Sequence, residues 1–126
     1  MAAETAVQGA LYTALSALGL RVLDAGPQDA TWPYVEIGFI VMNAWDTSPE
    51  TGFEYLARIH TRSRTASMKE AKDMQGQIYD RLHRGALTIT GFTHVLIQRE
   101  NSEVMRATDG SFHGVCEYRG LIDKPA

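Results

Sequence analysis

Any chemistry in this chain would have to start from four histidines, one cysteine and a scatter of serines and carboxylates. His60, His83, His94 and His113 stand at no metal-ligand spacing such as His-x3-His, and Cys116 has no second cysteine to share a metal. They read as ordinary polar or partly buried histidines. His113 and Cys116 lie three apart, which on a strand sends them to opposite faces. Cys116 beside a histidine would be a nucleophile. Its alternation with Phe112, Gly114, Tyr118 and Gly120 on one strand face favours a small apolar core residue instead. Serines 16, 48, 63, 67, 102 and 111 include no Gly-x-Ser-x-Gly elbow, and the glycines form no Gly-x-Gly-x-x-Gly or Walker loop. No pair of carboxylates is set apart. Nothing in these residue types requires an enzyme or a cofactor.

A basic stripe carries more information. Arg58, His60 and Arg62 are spaced by two and share a face of a strand; Arg64 continues the stripe if the strand extends. Three uses fit. The stripe can face phosphates. It can be neutralised by Glu36 and Glu54 on an exposed sheet. It can also sit in a subunit interface, where arginine is enriched. The polar loop Asn43–Pro49 places Trp45 beside Asp46. An exposed loop aromatic anchors interfaces, and Trp45 folded back onto the domain is the other reading. Trp32, next to Pro33, is expected to pack locally.

These residues sit in a chain of 126, the length of one domain spanning 1–126. Hydrophobic residues at 44% and charged residues at 21% are globular values, which argues against disorder. The 15 acidic and 12 basic side chains leave a net charge of −3, against a dedicated nucleic-acid binder. No apolar run reaches the roughly 18 residues of a membrane span, and Met1–Thr5 reads as no signal peptide. A single cysteine excludes an internal disulfide and fits a reducing compartment.

The elements that must position the stripe follow from periodicity. Val7, Leu11, Ala14 and Leu18 predict a helix over about Glu4–Leu18, capped by Gly19. Leu20–Leu23 is a candidate short strand and Gly26–Ala30 a loop. Tyr34–Met42 alternates, with Val35, Ile37, Phe39 and Val41 on one face; Phe53–Arg62 alternates again. The two form a long antiparallel hairpin. With Val41 opposite Phe53, Glu36 falls opposite Arg58. Ser67 and Glu70 form a capping box for a second helix over Met68–His83, ended by Gly85. Strands over Thr93–Ala107 and Ser111–Ile122 flank the turn Thr108–Gly110. The expected fold is α+β: a two-layer sandwich, with an antiparallel four-stranded (or slightly larger) sheet and two helices packed on one face.

The order of segments resembles a family of short phage proteins. Pro33-Tyr34-Val35-Glu36-Ile37-Gly38 follows a proline and acidic loop, Pro27-Gln28-Asp29. A strand ends in Ile59-His60-Thr61-Arg62-Ser63, although relatives often carry a tryptophan before that serine. A helix ends in Leu82-His83, and the last hairpin carries Asp109-Gly110 and then His113-Gly114-Val115. The resemblance, over about residues 5–122, is to the tail terminator or tail completion proteins of long-tailed phages and gene transfer particles. It implies a homo-hexameric ring on the last ring of the tail tube. That ring would stop polymerisation of the tube protein and present a surface to the head-side connector protein. DNA would pass through its lumen without specific binding. The same resemblance implies a head-proximal place in the virion tail, assembly in the bacterial host cytoplasm, no catalysis, no cofactor and no membrane. Within that frame, Glu36, Leu56 and Arg58, with Arg62 and Arg64 on the same stripe, are candidate interface residues. Trp45 and Asp46 are the candidate contact to tube or connector. Another head–tail connector or minor tail protein is the near alternative. A nucleic-acid module using Arg58, Arg62 and Arg64 is a second class, and a small hydrolase or metal enzyme a third.

Overall fold

The fold is a computed structural model describing residues 2–23, 31–45, 51–65 and 67–124. Along the chain run helix α1 (Ala3–Ser16), strand β1 (Val22–Leu23), β2 (Tyr34–Ala44), β3 (Thr51–Ser63), helix α2 (Lys69–Leu82), β4 (Thr93–Arg106) and β5 (Phe112–Lys124). Strand order is β1-β2-β3-β5-β4. Val7, Leu11 and Leu15 of α1 and Ile78 and Leu82 of α2 are fully buried in one cluster with Val35, Ile59, Ile97, Cys116, Tyr118 and Ile122 of the sheet. Each such aliphatic side chain contributes about 1.5–3 kcal/mol. Cys116 is thus the core residue its alternation suggests. No helix among the described residues is long and apolar enough to cross a membrane.

The α+β class stands, but the antiparallel four-stranded (or slightly larger) sheet does not. The sheet is five-stranded and mixed. β1 lies parallel to β2, Val22 beside Val35 and Leu23 beside Glu36. A two-residue strand is too short to show a period, so its pairing partner and direction depend on tertiary packing. The expected Gly26–Ala30 loop lies outside the described residues.

The hairpin register also differs from the expectation. Ala44, not Val41, lies opposite Phe53, and Glu36 lies opposite His60 rather than Arg58. The strands run closer to their turn than the polar composition of 43–52 suggests: Trp45 N–H donates to Gly52 O at 2.8 Å. A β-bulge then intervenes. Ile37 pairs with Ile59 and Ile40 with Ala57, so Gly38 and Phe39 share Arg58. One extra residue reverses the alternation. Val35 and Ile37 point into the core, whereas Phe39 and Val41 are 62% and 38% exposed and Ile40 and Met42 take the inner side. The bulge needs glycine: a Cβ at 38 would stand 2.8 Å from His60 Nε2 and 2.9 Å from Arg58 O.

Helix α2 is tied to the sheet by polar contacts at its two ends. Ser67 Oγ accepts Lys69 N–H at 3.3 Å, but the N-cap position of α2 is Met68, without a side-chain cap. Glu70 does not complete the expected capping box; it accepts the Ser63 hydroxyl at 2.6 Å and anchors α2 to the end of β3. At the other end, Arg84 takes the left-handed conformation (φ +56°) just ahead of Gly85. There Arg84 N–H donates to Ile97 O at 2.7 Å, and Arg99 N–H donates to His83 Nδ1 at 3.1 Å. Residues 83–84 therefore cover part of the outer edge of β4.

Candidate assembly interface on the open sheet face

With both helices on one side, the other side of the sheet is open. It carries the even-numbered residues of β3 and the odd-numbered residues of β5. The pairing places Leu56 beside Val41 and Arg119, Arg58 beside Glu117, His60 beside Glu36 and Val115, and Arg62 beside Tyr34 and His113. The stripe Arg58–His60–Arg62 exists, as its spacing predicts, in the centre of this face.

Its charges are paired within the chain. Arg62 meets Glu36 at 3.5 Å, Arg58 meets Glu117 at 3.4 Å, and Arg119 meets Glu54. The Arg58 guanidinium also lies over the Phe39 ring, 4.9 Å from its centroid. Each pair is partly solvated and contributes at most about 1 kcal/mol. Their main effect is to fix cross-strand geometry and to leave a face close to neutral, studded with apolar side chains.

Two histidines sit within this ladder. His60 Nδ1 and His113 Nε2 are 2.8 Å apart, with rings stacked at 5.0 Å. Partial burial lowers the His60 pKa, opposed by Glu36 and reinforced by Arg62 and Arg58. Burial also lowers that of His113, to about 4, with Arg62 and His60 adding to the effect. One ring donates and the other accepts, so the accepting ring is neutral. Among the described residues no group of three or more His, Cys, Asp or Glu side chains is placed to hold a metal. Burial raises the Cys116 thiol to about 11, away from a nucleophile's range.

Of the predicted interface residues, Glu36, Leu56, Arg58 and Arg62 come together on the open face. Arg64 lies beyond the strand, with its guanidinium 4.1 Å from the centroid of the Trp32 ring. Trp32 packs edge-on to Tyr34, the local packing expected of it. Trp45 is half-buried at the hairpin end, and a Cβ on Gly52 would collide with its main chain. Asp46 lies outside the described residues. The residues missed by sequence reasoning are His113, Glu117 and Arg119, because nothing local reveals that β5 inserts between β3 and β4. Phe39 and Val41 were missed because the bulge is invisible to strict alternation.

The comparisons with known proteins give the family and the fold of the chain. The family profile described as "Tail completion protein gp17" matches residues 5–123. The chain belongs to that family. It is a structural component of a phage-type tail. No curated protein matches the chain. A chain in the solved structure "Virion of native gene transfer agent (GTA) particle" is similar to it, with a TM-score of 0.84 and 21% identity. The match covers 97% of this chain and 98% of that one. At that identity the likeness is one of fold, and it extends over nearly the whole αβββαββ chain.

Proposed function

We infer that this tail completion protein is a tail terminator. Copies form a homo-hexameric ring on the last ring of the tail tube, stop polymerisation of the tube protein and offer the joining surface to the head-side connector protein. DNA passes through the lumen without specific binding. The protein then resides at the head-proximal end of the virion tail, is assembled in the bacterial host cytoplasm, and acts without catalysis, cofactor or membrane.

One observation carries the reading beyond family membership. The open face pairs its own arginines with its own carboxylates, Glu36–Arg62, Arg58–Glu117 and Glu54–Arg119, while exposing Phe39 and Val41. A surface that held DNA would keep its arginines for phosphates. A surface that packs on protein needs satisfied charges and free apolar area. In this reading Glu36, Leu56, Arg58 and Arg62 contribute to contacts with neighbouring subunits or the tube. Trp45, at the hairpin end, contacts tube or connector together with its sequence neighbour Asp46, and Arg64 lies at the opposite rim.

Electron microscopy of particles from a producer lacking this gene tests it. The expected result is overlong or ragged tails beside unattached filled heads. Tails of normal length with detached heads would mean a connector role instead. Normal, joined particles would overturn both.

A further inference from the structure

The sheet has two edges, and the described residues cover each over only part of its length. At the β4 edge, residues 83–84 take up the outward main-chain groups of Ile97 and Arg99. Beyond the bulge at Glu100, strand alternation turns the main-chain groups of Ser102, Val104 and Arg106 outward. At the other edge, β1 covers β2 only at Val35 and Glu36, with Val35 N–H donating to Arg21 O at 2.7 Å. Because Trp45 N–H points the other way, to Gly52, alternation turns Ile40, Met42 and Ala44 outward. Among the described residues none of these six outward positions has a main-chain partner. Unpaired edge groups of this kind are templates for another strand.

The two free stretches match. They run antiparallel to each other, since β2 and β5 point one way and β3 and β4 the other. A head-to-tail copy therefore brings β4 against β2 in antiparallel sense, the heterologous contact a ring requires. We propose that copies of this chain join by this edge: Ser102, Val104 and Arg106 of one copy pair with Ala44, Met42 and Ile40 of the next. The inference rests on the ring reading and specifies its contact.

Side chains support this register. It sets Val41 opposite Met105 on the open face, with Phe39 alongside, and Met42 opposite Val104 on the helix side. Phe39, Val41 and Met105 are three of the large hydrophobic side chains exposed in the single chain. The register buries them together. The blocked parts also stay clear of each other. The covered half of β4 runs past the Ala44 end of β2, and the turn Thr108–Gly110 stops beside β1.

The geometry closes as well. Within one copy Val41 shares a row with Leu56, Arg119 and Gln98, whereas Met105 shares a row with His113. Joining Val41 to Met105 thus staggers successive copies by about six residues, roughly 20 Å at ~3.4 Å per residue. Four strands span roughly 19 Å at ~4.8 Å each. Strands then cross the ring axis at about 45°, the upper end of the tilt at which sheets close into barrels. The open faces of all copies become one continuous surface, with Leu56 and Arg58 at its centre, available to the tube.

The test uses purified particles carrying Val41→Cys and Met105→Cys together. Mild oxidation is expected to give a ladder of covalent multimers up to the full ring, and each single variant only monomer. Copy number per particle is measured by quantitative mass spectrometry alongside. Several copies per particle without a ladder would overturn the edge contact and leave the ring standing. A single copy per particle would remove the ring and the edge contact together. A charge swap covers the case in which the cysteine variant yields no particles. Val41→Glu alone is expected to lower the yield of completed particles at least tenfold, and adding Met105→Lys to restore it. Failure of the second change to restore yield overturns the register.

Discussion

His60 Nδ1 and His113 Nε2 stand 2.8 Å apart in the middle of an otherwise ion-paired ladder, on strands that meet only in the tertiary fold. Their surroundings are Arg62 and Arg58 on β3, Glu36 on β2 and Glu117 on β5. Both rings have pKa values below the ordinary histidine value of 6.5, His113 at about 4. The unfolded chain therefore binds protons that the folded chain refuses. Stability from this pair is complete above about pH 6.5 and is lost as pH falls toward about 4. Allowing for partial solvation, the loss is on the order of 1 kcal/mol. Urea unfolding at pH 7.5 and pH 4.5 measures it, and His113→Gln should flatten the difference. An equal pH dependence in that variant would show that other groups are responsible.

Gly120 lies against the ring of Tyr55, where a Cβ would overlap the ring carbons. Tyr55 is fully buried, and its hydroxyl lies 3.5 Å from His94 Nε2. Gly120→Ala should therefore force the ring or the β3–β5 ladder to shift and destabilise the fold by about 1–3 kcal/mol. Pairing it with Tyr55→Phe should recover only part of the loss, because a Cβ would meet the ring carbons as well as the hydroxyl.

Tyr118 is fully buried and its hydroxyl has no hydrogen-bond partner among the described residues. An unpaired buried hydroxyl costs about 1–3 kcal/mol. Tyr118→Phe keeps the ring and removes that group, so a gain of roughly 1 kcal/mol is expected. A loss of stability on thermal or urea unfolding would mean that the hydroxyl is satisfied.

Phe39 is 62% exposed, with the Arg58 guanidinium over its ring. Phe39→Ser should leave the stability of the isolated chain within about 0.5 kcal/mol, as surface changes do. In particles the same change should sharply reduce completed tails. A variant that unfolds, or one that assembles normally, would remove Phe39 from the contact surface.

Arg58 and Glu117 meet at 3.4 Å on adjacent strands with both side chains partly exposed. A double-mutant cycle to alanine should give a coupling of about 0.2–1 kcal/mol that shrinks with added salt. A larger, salt-insensitive value would mean the pair is more deeply desolvated than its exposure indicates.

Both helices, the four long strands and the Arg58–His60–Arg62 stripe were legible in the residues themselves. Helical and strand periods are set by local backbone geometry, so Val7–Leu11–Ala14 and Phe53–Arg62 announce their elements without help. The likeness of Pro33–Gly38, Leu82–His83 and Asp109–Val115 to tail completion proteins was legible too, because it lies in order and spacing along the chain. The partners across the sheet were not. Whether Arg58 meets Glu36 or Glu117 depends on register and on β5 inserting beside β3, and both are decided by how the long hairpins pack under α1 and α2. A single extra residue at Gly38–Phe39 sends Phe39 and Val41 to the opposite face, at a cost the inward packing of Ile40 and Met42 offsets. The direction of β1 and the covering of β4 by His83 and Arg84 are likewise tertiary outcomes. They satisfy main-chain groups that no local pattern can count, and among the described residues they leave open the stretches of each edge on which the proposed ring contact rests.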